Sequence, residues 1–205
     1  MLNISGLIDF NYIKRAIKIF TMATFLLLIT IVIAYIFNPG EELLKQLGNK
    51  SPERVSETHG LTKVWGFMQT NGFYVPIQML ILALIPIPFL YTLNLIVSII
   101  IPGIMFGFLI NFDPYKGFTG FISYIPHYMF EIFSFCVMIS GLYMLNKTII
   151  RKISNIFRKN KKSNYSLRNS LIMLFKLYFL VSLPLIVLAA FTETYVADML
   201  LKLMN

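Results

Sequence analysis

His127 and Glu131 are the two residues of this sequence whose types and spacing point most directly to chemistry. They stand four positions apart, and side chains with that spacing share one face of an α-helix. The residues around them are mostly apolar. An ionised carboxylate is costly in such surroundings, so Glu131 is expected to pair with a neighbour or to take up a proton. Three interpretations stay open: a polar clasp between helices, a proton-relay or substrate site, and part of a metal site.

Glu193 follows the last apolar stretch of the chain and is the third candidate for this polar cluster. One imidazole and two carboxylates can hold a divalent metal ion and leave a coordination position open. However, the spacing of His127, Glu131 and Glu193 matches no metal-binding motif, and His59 is the only other histidine. The sequence also contains no P-loop, glycine-rich dinucleotide loop or nucleophile elbow. We therefore assign no metal and no cofactor, and the sequence favours a protein that is not an enzyme.

The elements that must position these residues are apolar helices, as the composition indicates. Of the 205 residues, 57% are hydrophobic and only 13% are charged, whereas soluble domains carry about 25% charged residues. The apolar residues form long uninterrupted blocks, which indicates that they face lipid and not water. This pattern excludes a disordered chain and disfavours a soluble enzyme. It predicts an all-α, polytopic integral membrane protein that forms a single domain over residues 1–205.

Five transmembrane helices are predicted from the lengths of the uncharged blocks. The uncharged stretch 72–112 would form a single helix of about 60 Å, twice the hydrocarbon thickness of a bilayer, so it must turn back on itself. We place the turn near residues 90–94, because Pro86 and Pro88 just before it can end the first arm. The predicted spans are about 19–37, 73–90, 94–112, 124–146 and 171–191.

Two shorter patterns predict local structure. Gly103 and Gly107, in the third span, indicate a place where another helix packs closely. In the polar segment between the first two spans, the spacing of Leu43, Leu44 and Leu47 predicts a short amphipathic helix.

The distribution of Lys and Arg predicts the orientation of the five spans. The segment 147–168 carries eight Lys or Arg residues and no acid, and the N-terminal flank carries three cations. With five spans these two segments lie on the same side of the bilayer, and an excess of Lys and Arg marks the cytoplasm. The N-terminus is therefore expected inside and the C-terminus outside, with an outer loop at 38–72 and a basic cytoplasmic loop at 147–170. The three flanking cations are Lys14, Arg15 and Lys18.

The basic loop has a helical pattern of its own. Its apolar residues between positions 149 and 157 are spaced as one helical stripe, with the cations elsewhere. Such a helix is expected to lie on the inner leaflet and bind anionic lipid, while a plain topology anchor and a docking surface for an acidic partner are the alternatives. The net charge of +9 does not indicate nucleic-acid binding, because the cations cluster beside apolar blocks. The predicted membrane-surface residues are Lys147, Arg151, Lys152, Arg158, Lys159, Lys161 and Lys162.

Over roughly residues 15–200 the sequence resembles the stage II sporulation protein M family of bacterial membrane proteins. Pro126-His127, Glu131 and Gly141 resemble the family's central Pro-His-Gly, Glu, Gly pattern, and the stretch 184–195 resembles its last helix with an Ala-Ala-x-x-Glu ending. One departure is Tyr128, which stands where the family has a glycine.

The resemblance implies a five-span protein of the bacterial cytoplasmic membrane, in one of two settings. The family's namesake acts in endospore engulfment as a membrane scaffold that works with peptidoglycan-degrading partners. This implies a non-enzymatic scaffold or assembly factor with membrane or envelope partners such as peptidoglycan hydrolases. Similar proteins occur in gene clusters for circular bacteriocins. This implies the alternative, a membrane component of peptide maturation, export or immunity that uses His127, Glu131 and Glu193 and works beside a peptide-export ATPase.

Overall fold

The computed structural model describes residues 9–37 and 60–204, and these residues form helices and no strands. The predicted amphipathic helix at Leu43–Leu47 and most of the expected outer loop 38–72 lie outside the described residues, as does His59. The helices are α1 (Phe10–Phe37), α2 (Leu61–Phe67), α3 (Val75–Leu84), α4 (Leu93–Phe112), α5 (Pro114–Phe157), α6 (Leu167–Leu177), α7 (Leu183–Phe191) and α8 (Ala197–Met204). Short π-helical turns at Met68–Tyr74, Tyr178–Ser182 and Thr192–Val196 join α2 to α3, α6 to α7 and α7 to α8, and a 3₁₀ turn at Leu90–Thr92 precedes α4.

Among the described residues, four helical stretches are long and apolar enough to cross a membrane, namely Phe10–Phe37, Leu90–Phe112, Pro114–Phe157 and Leu167–Met204. The α2–α3 arm, which contains most of the second predicted span, is helical but is not among these four. The architecture is thus that of an all-helical, multi-pass membrane protein.

Helix α5 is the central helix, and the other long helices pack around it. It extends beyond the predicted span 124–146 at both ends. Its start is fixed by Asp113, whose side chain accepts a hydrogen bond from the Lys116 backbone N–H at 3.1 Å, and by Pro114 at the first helical position. At the other end, no proline or glycine interrupts residues 142–157, so the first part of the expected basic loop continues the helix.

The close packing predicted at Gly103 and Gly107 is confirmed, and the partner is α1. A Cβ atom added to Gly107 would lie 2.5 Å from the Ile31 carbonyl oxygen and 2.6 Å from Ala34 Cβ. A Cβ atom at Gly103 would lie 2.9 Å from the Thr30 side chain. The two glycines therefore let the α1 and α4 backbones approach closely, which is a common means of helix association in lipid.

The hairpin between α3 and α4 breaks earlier than the expected position of residues 90–94. Helix α3 ends at Leu84, and Ile85 is extended with ψ 130° because the residue before a proline avoids helical geometry. Asn146 of α5 donates hydrogen bonds to the Ala83 and Ile85 carbonyl oxygens at 2.9 and 2.8 Å. These bonds satisfy two acceptors at the helix end that have no intrahelical donor.

Prolines account for two of the π-helical turns. Pro76 and Pro184 each stand at the second residue of the α-helix that follows a π-helical turn. A proline lacks the N–H that would bond the carbonyl four residues earlier, so Pro76 leaves the Gly72 carbonyl without its usual donor. The Tyr178 hydroxyl donates to the Gly72 oxygen at 2.5 Å and thereby links the α2–α3 arm to the C-terminal helices.

The two ends of the bundle differ in charge. At the end that we call the basic end, Arg15 of α1 donates to the Ser140 carbonyl oxygen at 2.9 Å, close to the cationic C-terminal part of α5. At the opposite end, which we call the cluster end, Lys63 lies near Glu193, and the Tyr115 hydroxyl donates to the Met204 carbonyl oxygen. The N-terminal cations and the 147–168 cations thus share one end.

Candidate functional site

His127 and Glu131 lie on one face of α5, where the helical repeat places side chains four positions apart. They are only 5% and 8% exposed, respectively. The His127 Nε2 atom contacts the Glu131 carboxylate directly. The partner that the sequence suggested for Glu131 is therefore the one it has in the structure.

Glu193 reaches the same place from the π-helical turn Thr192–Val196. Its Oε2 atom lies 4.0 Å from His127 Nδ1, and its Oε1 atom lies 4.0 Å from the Lys63 ammonium nitrogen of α2. The structure thus brings together all three residues predicted for the polar cluster and adds Lys63 to them. The two outer members are more accessible than the inner pair, because their side chains are 22% and 26% exposed.

The contacts of His127 define where its protons lie. Its Nδ1 atom is 3.0 Å from the Ala189 carbonyl oxygen, which can only accept a hydrogen bond, so Nδ1 carries a proton. Its Nε2 atom faces Glu131, and two lone pairs would repel each other there. A second proton therefore lies between Nε2 and the carboxylate, either as imidazolium beside carboxylate or as imidazole beside carboxylic acid. In both forms the His127–Glu131 pair is neutral overall.

Aromatic side chains surround the pair on the side of α2 and α5. The ring centroids of Phe67 and Tyr124 each lie 5.6 Å from that of His127. Tyr128, the residue that departs from the family pattern, is 5% exposed, and its hydroxyl donates to Thr24 Oγ1 of α1 at 3.2 Å. The larger side chain thus fills space beside the cluster and ties α5 to α1.

The contacts of the cluster are hydrogen bonds and ion pairs between protein groups. Within residues 9–37 and 60–204, no group of three or more His, Cys, Asp or Glu side chains is placed so as to hold a metal ion. Both ring nitrogens of His127 already face protein oxygens, which leaves neither lone pair directed at a shared central position. The cluster instead joins α2, α5 and the C-terminal helices through charges and hydrogen bonds.

Two further polar contacts between α5 and the C-terminal helices were not identified from the sequence. Ser134 and Ser182 are fully buried, and their hydroxyl oxygens lie 2.6 Å apart. The Thr148 and Ser170 hydroxyl oxygens lie 3.1 Å apart. The signal that could have found them is the occurrence of small hydroxyl residues at mid-helix in apolar segments, where interhelical hydrogen bonds are common.

The predicted membrane-surface segment is held against the end of α5. The Arg151 guanidinium lies 5.1 Å from the Tyr165 ring centroid, and Asn155 Nδ2 donates to the Lys162 carbonyl oxygen at 2.7 Å. The residues of the predicted apolar stripe differ in burial. Ile149 packs on the core, whereas Ile156 and Phe157 are 74% and 84% exposed. Of the cations, Lys152, Arg158, Lys159, Lys161 and Lys162 are exposed, and Lys147 and Arg151 are half-buried.

Comparison with known proteins identifies one family. The family model described as stage II sporulation protein M matches residues 19–198, which include every member of the cluster. Searches of curated proteins and of solved structures give no match.

Proposed function

Because the chain belongs to the stage II sporulation protein M family, we propose that it is a non-enzymatic scaffold or assembly factor for an envelope complex in the bacterial cytoplasmic membrane. The observation that carries this proposal is that the buried polar groups are engaged with other protein groups. His127, the residue best able to act as a base, has both ring nitrogens engaged with protein oxygens. Among the described residues, Thr194 Oγ1 alone is a buried side-chain polar atom without a hydrogen-bond partner. The polar groups thus serve to fix helices relative to one another.

For the topology we propose five spans, with the α2–α3 arm as the second, the N-terminus inside and the C-terminus outside. The charge difference between the two ends of the bundle supports this orientation, since Lys and Arg mark the cytoplasmic side. Reporter fusions after Asn160 and after Asn205 are expected to report opposite sides of the membrane. The same side for both fusions would overturn the five-span topology.

The scaffold role is tested with variants of the cluster. In His127→Ala and Glu131→Gln, one partner of a buried pair loses the other, which typically costs about 1–3 kcal/mol for neutral groups and about 3–5 kcal/mol for charged ones. A scaffold clasp predicts that both variants lower the amount of folded protein in the membrane and that function falls in proportion. Lys116→Gln, which removes an exposed charge at the same end, is the matched control and should change neither quantity.

A second role is favoured by one specific observation. His127 faces Glu131 through Nε2, and its Nδ1 atom lies 4.0 Å from the more accessible Glu193, so the cluster has the parts of a proton relay. On this basis the alternative role is in maturation, export or immunity of a circular bacteriocin-like peptide. It predicts that Glu193→Gln and His127→Ala remain abundant in the membrane but are inactive. Abundant, inactive variants would therefore contradict the clasp and support the relay.

The two roles also differ in their partners. A scaffold predicts co-purification with envelope proteins such as peptidoglycan hydrolases, whereas peptide export predicts an ATPase and a hydrophobic peptide precursor. Affinity capture of the tagged full-length chain from its own membranes, with the Lys116→Gln variant as control, distinguishes them.

A further inference from the structure

A groove runs along the side of the bundle between α1 and α4, with α5 as its floor. It encloses about 590 Å³, which falls within the range of about 300–1,000 Å³ typical of small-molecule sites. Met22 and Phe25 on its rim are 72% and 65% exposed, so the groove opens toward the surrounding lipid. The walls and floor are apolar and include Ile19, Ala23, Leu26, Leu95, Ile99 and Ile139.

One cationic side chain, Arg15, stands at the basic end of this groove. Its Nη1 atom donates to the Ser140 carbonyl oxygen at 2.9 Å, and its guanidinium carbon lies 4.5 Å from the Tyr143 ring centroid. These contacts hold the guanidinium in place at the groove's end. Because a guanidinium has five N–H donors in a fork that matches phosphate oxygens, further donors can serve a ligand.

A polar depression adjoins the groove at Arg15 and continues its charge. It is lined by Lys14 and Lys18 of α1, with Asn11 and one acid, Asp9. Among the described residues here, three cations thus stand against one carboxylate where the apolar groove reaches the end of the helix. The combined shape is an apolar slot followed by a positively charged surface.

We propose that this slot binds an anionic phospholipid of the leaflet at the basic end. One acyl chain lies between α1 and α4, and the phosphate is bound by Arg15 with Lys14 and Lys18. A partner helix would match the apolar walls but not the cationic end, whereas an anionic lipid matches both. The site borders the basic surface at 147–162, since Lys147 Nζ lies 5.5 Å from the ring centroid of Tyr143, which lines the groove. It differs from that surface in having an apolar slot for an acyl chain.

The test is native mass spectrometry of the full-length protein in detergent with added phosphatidylglycerol or phosphatidylcholine of identical acyl chains. The expected result is one retained phosphatidylglycerol per chain and weaker retention of phosphatidylcholine. Arg15→Gln should weaken phosphatidylglycerol retention about fivefold, as expected for one cation near an anionic headgroup. The double variant Lys14→Gln/Lys18→Gln tests the same end with exposed residues in case Arg15→Gln does not fold.

Matched controls separate charge from shape. Lys116→Gln at the cluster end should leave the lipid preference unchanged. Ile96→Trp, within the groove, should reduce retention of both lipids, whereas Val97→Trp on the exposed face of α4 should not. Equal retention of both lipids by the unmodified chain, or an unchanged preference in the folded charge variants, would overturn the proposal. So would a dimer that excludes lipid, since a second chain would then cover the groove.

Discussion

Gly107→Ala is the substitution that tests the packing of this bundle most sharply. In a helix interior, replacing Gly by Ala alone gains about 0.5–1 kcal/mol, because the unfolded chain loses conformational freedom. At Gly107, however, the new Cβ atom would lie 2.5 Å from the Ile31 carbonyl oxygen and 2.6 Å from Ala34 Cβ. The first of these atoms belongs to the α1 backbone, and the second is the methyl carbon of an alanine. Neither can move aside by a side-chain rotation.

The size of the destabilisation follows from how far α1 and α4 must separate to accommodate the new methyl group. To restore ordinary contact, α1 and α4 must move apart by roughly 1 Å, and a gap of that size forfeits about a quarter to a half of each pairwise dispersion energy. Overpacking of this kind typically costs about 1–3 kcal/mol. After the propensity gain is subtracted, we expect Gly107→Ala to lower the free energy of unfolding by up to about 2.5 kcal/mol, with the middle of the two ranges giving about 1 kcal/mol.

Gly120→Ala is the matched control, since it makes the same chemical change in α5. The nearest atom to a Cβ at Gly120 is a Phe106 ring carbon at 3.7 Å, which is ordinary contact. This variant should be neutral or more stable by up to about 1 kcal/mol. The assay is thermal and denaturant unfolding of both variants in the same detergent, with unmodified protein alongside. If Gly107→Ala is as stable as Gly120→Ala, the close approach of α1 and α4 is not what holds these helices together.

Three further outcomes are expected. Asn146→Ala removes the hydrogen bonds to the Ala83 and Ile85 carbonyl oxygens at the end of α3 and should lower the free energy of unfolding by about 1–3 kcal/mol, whereas Asn111→Ala, which removes one exposed hydrogen bond to the Tyr35 carbonyl oxygen, should cost less; equal losses would contradict this. A hydrogen bond from the Lys116 backbone N–H holds the pKa of the exposed Asp113 carboxyl below its usual 3.8. The stabilisation of α5 by the Asp113 cap is therefore present above pH 3.8 and is lost as the pH falls through the lower folded-state pKa. Asp113→Asn should remove this acid sensitivity of unfolding. A synthetic 147–162 peptide should gain helicity, measured by circular dichroism, with anionic vesicles and not with neutral ones, because each cation near the surface contributes about 1 kcal/mol; an equal response would remove the electrostatic argument.

Composition and block length were enough to predict an all-helical membrane protein, because a bilayer admits few other structures for a chain this apolar. The close packing at the glycine pair of α4 could also be predicted, since small residues four positions apart mark close helix contact in lipid. In both cases the physical cause is local in sequence. No long-range information was needed to reach the prediction.

Helix boundaries were less accessible because charge density does not by itself end a helix. Residues 147–157 carry three cations yet continue α5, since charges are tolerated once the helix leaves the hydrocarbon region. The π-helical turns were not anticipated either. At one of them, the carbonyl of Gly72 that Pro76 leaves free accepts a hydrogen bond from Tyr178 in the C-terminal helices, a tertiary contact that the sequence does not show.

In the candidate site, too, the contacts set by helix geometry could be predicted from the sequence, and those set by the packing of distant helices could not. His127 and Glu131 could be paired from sequence because the helical repeat dictates their proximity, and Glu193 because the predicted topology placed it at the same level. Lys63 could not, because its approach to Glu193 depends on the register of α2 against the C-terminal helices. Its presence changes the electrostatics of the cluster. Lys63 adds an ammonium nitrogen 4.0 Å from Glu193 Oε1, while Glu193 Oε2 lies 4.0 Å from His127 Nδ1, so the four residues link α2, α5 and the C-terminal helices. Residues that share such a buried network depend on one another, because removing one leaves its partner uncompensated.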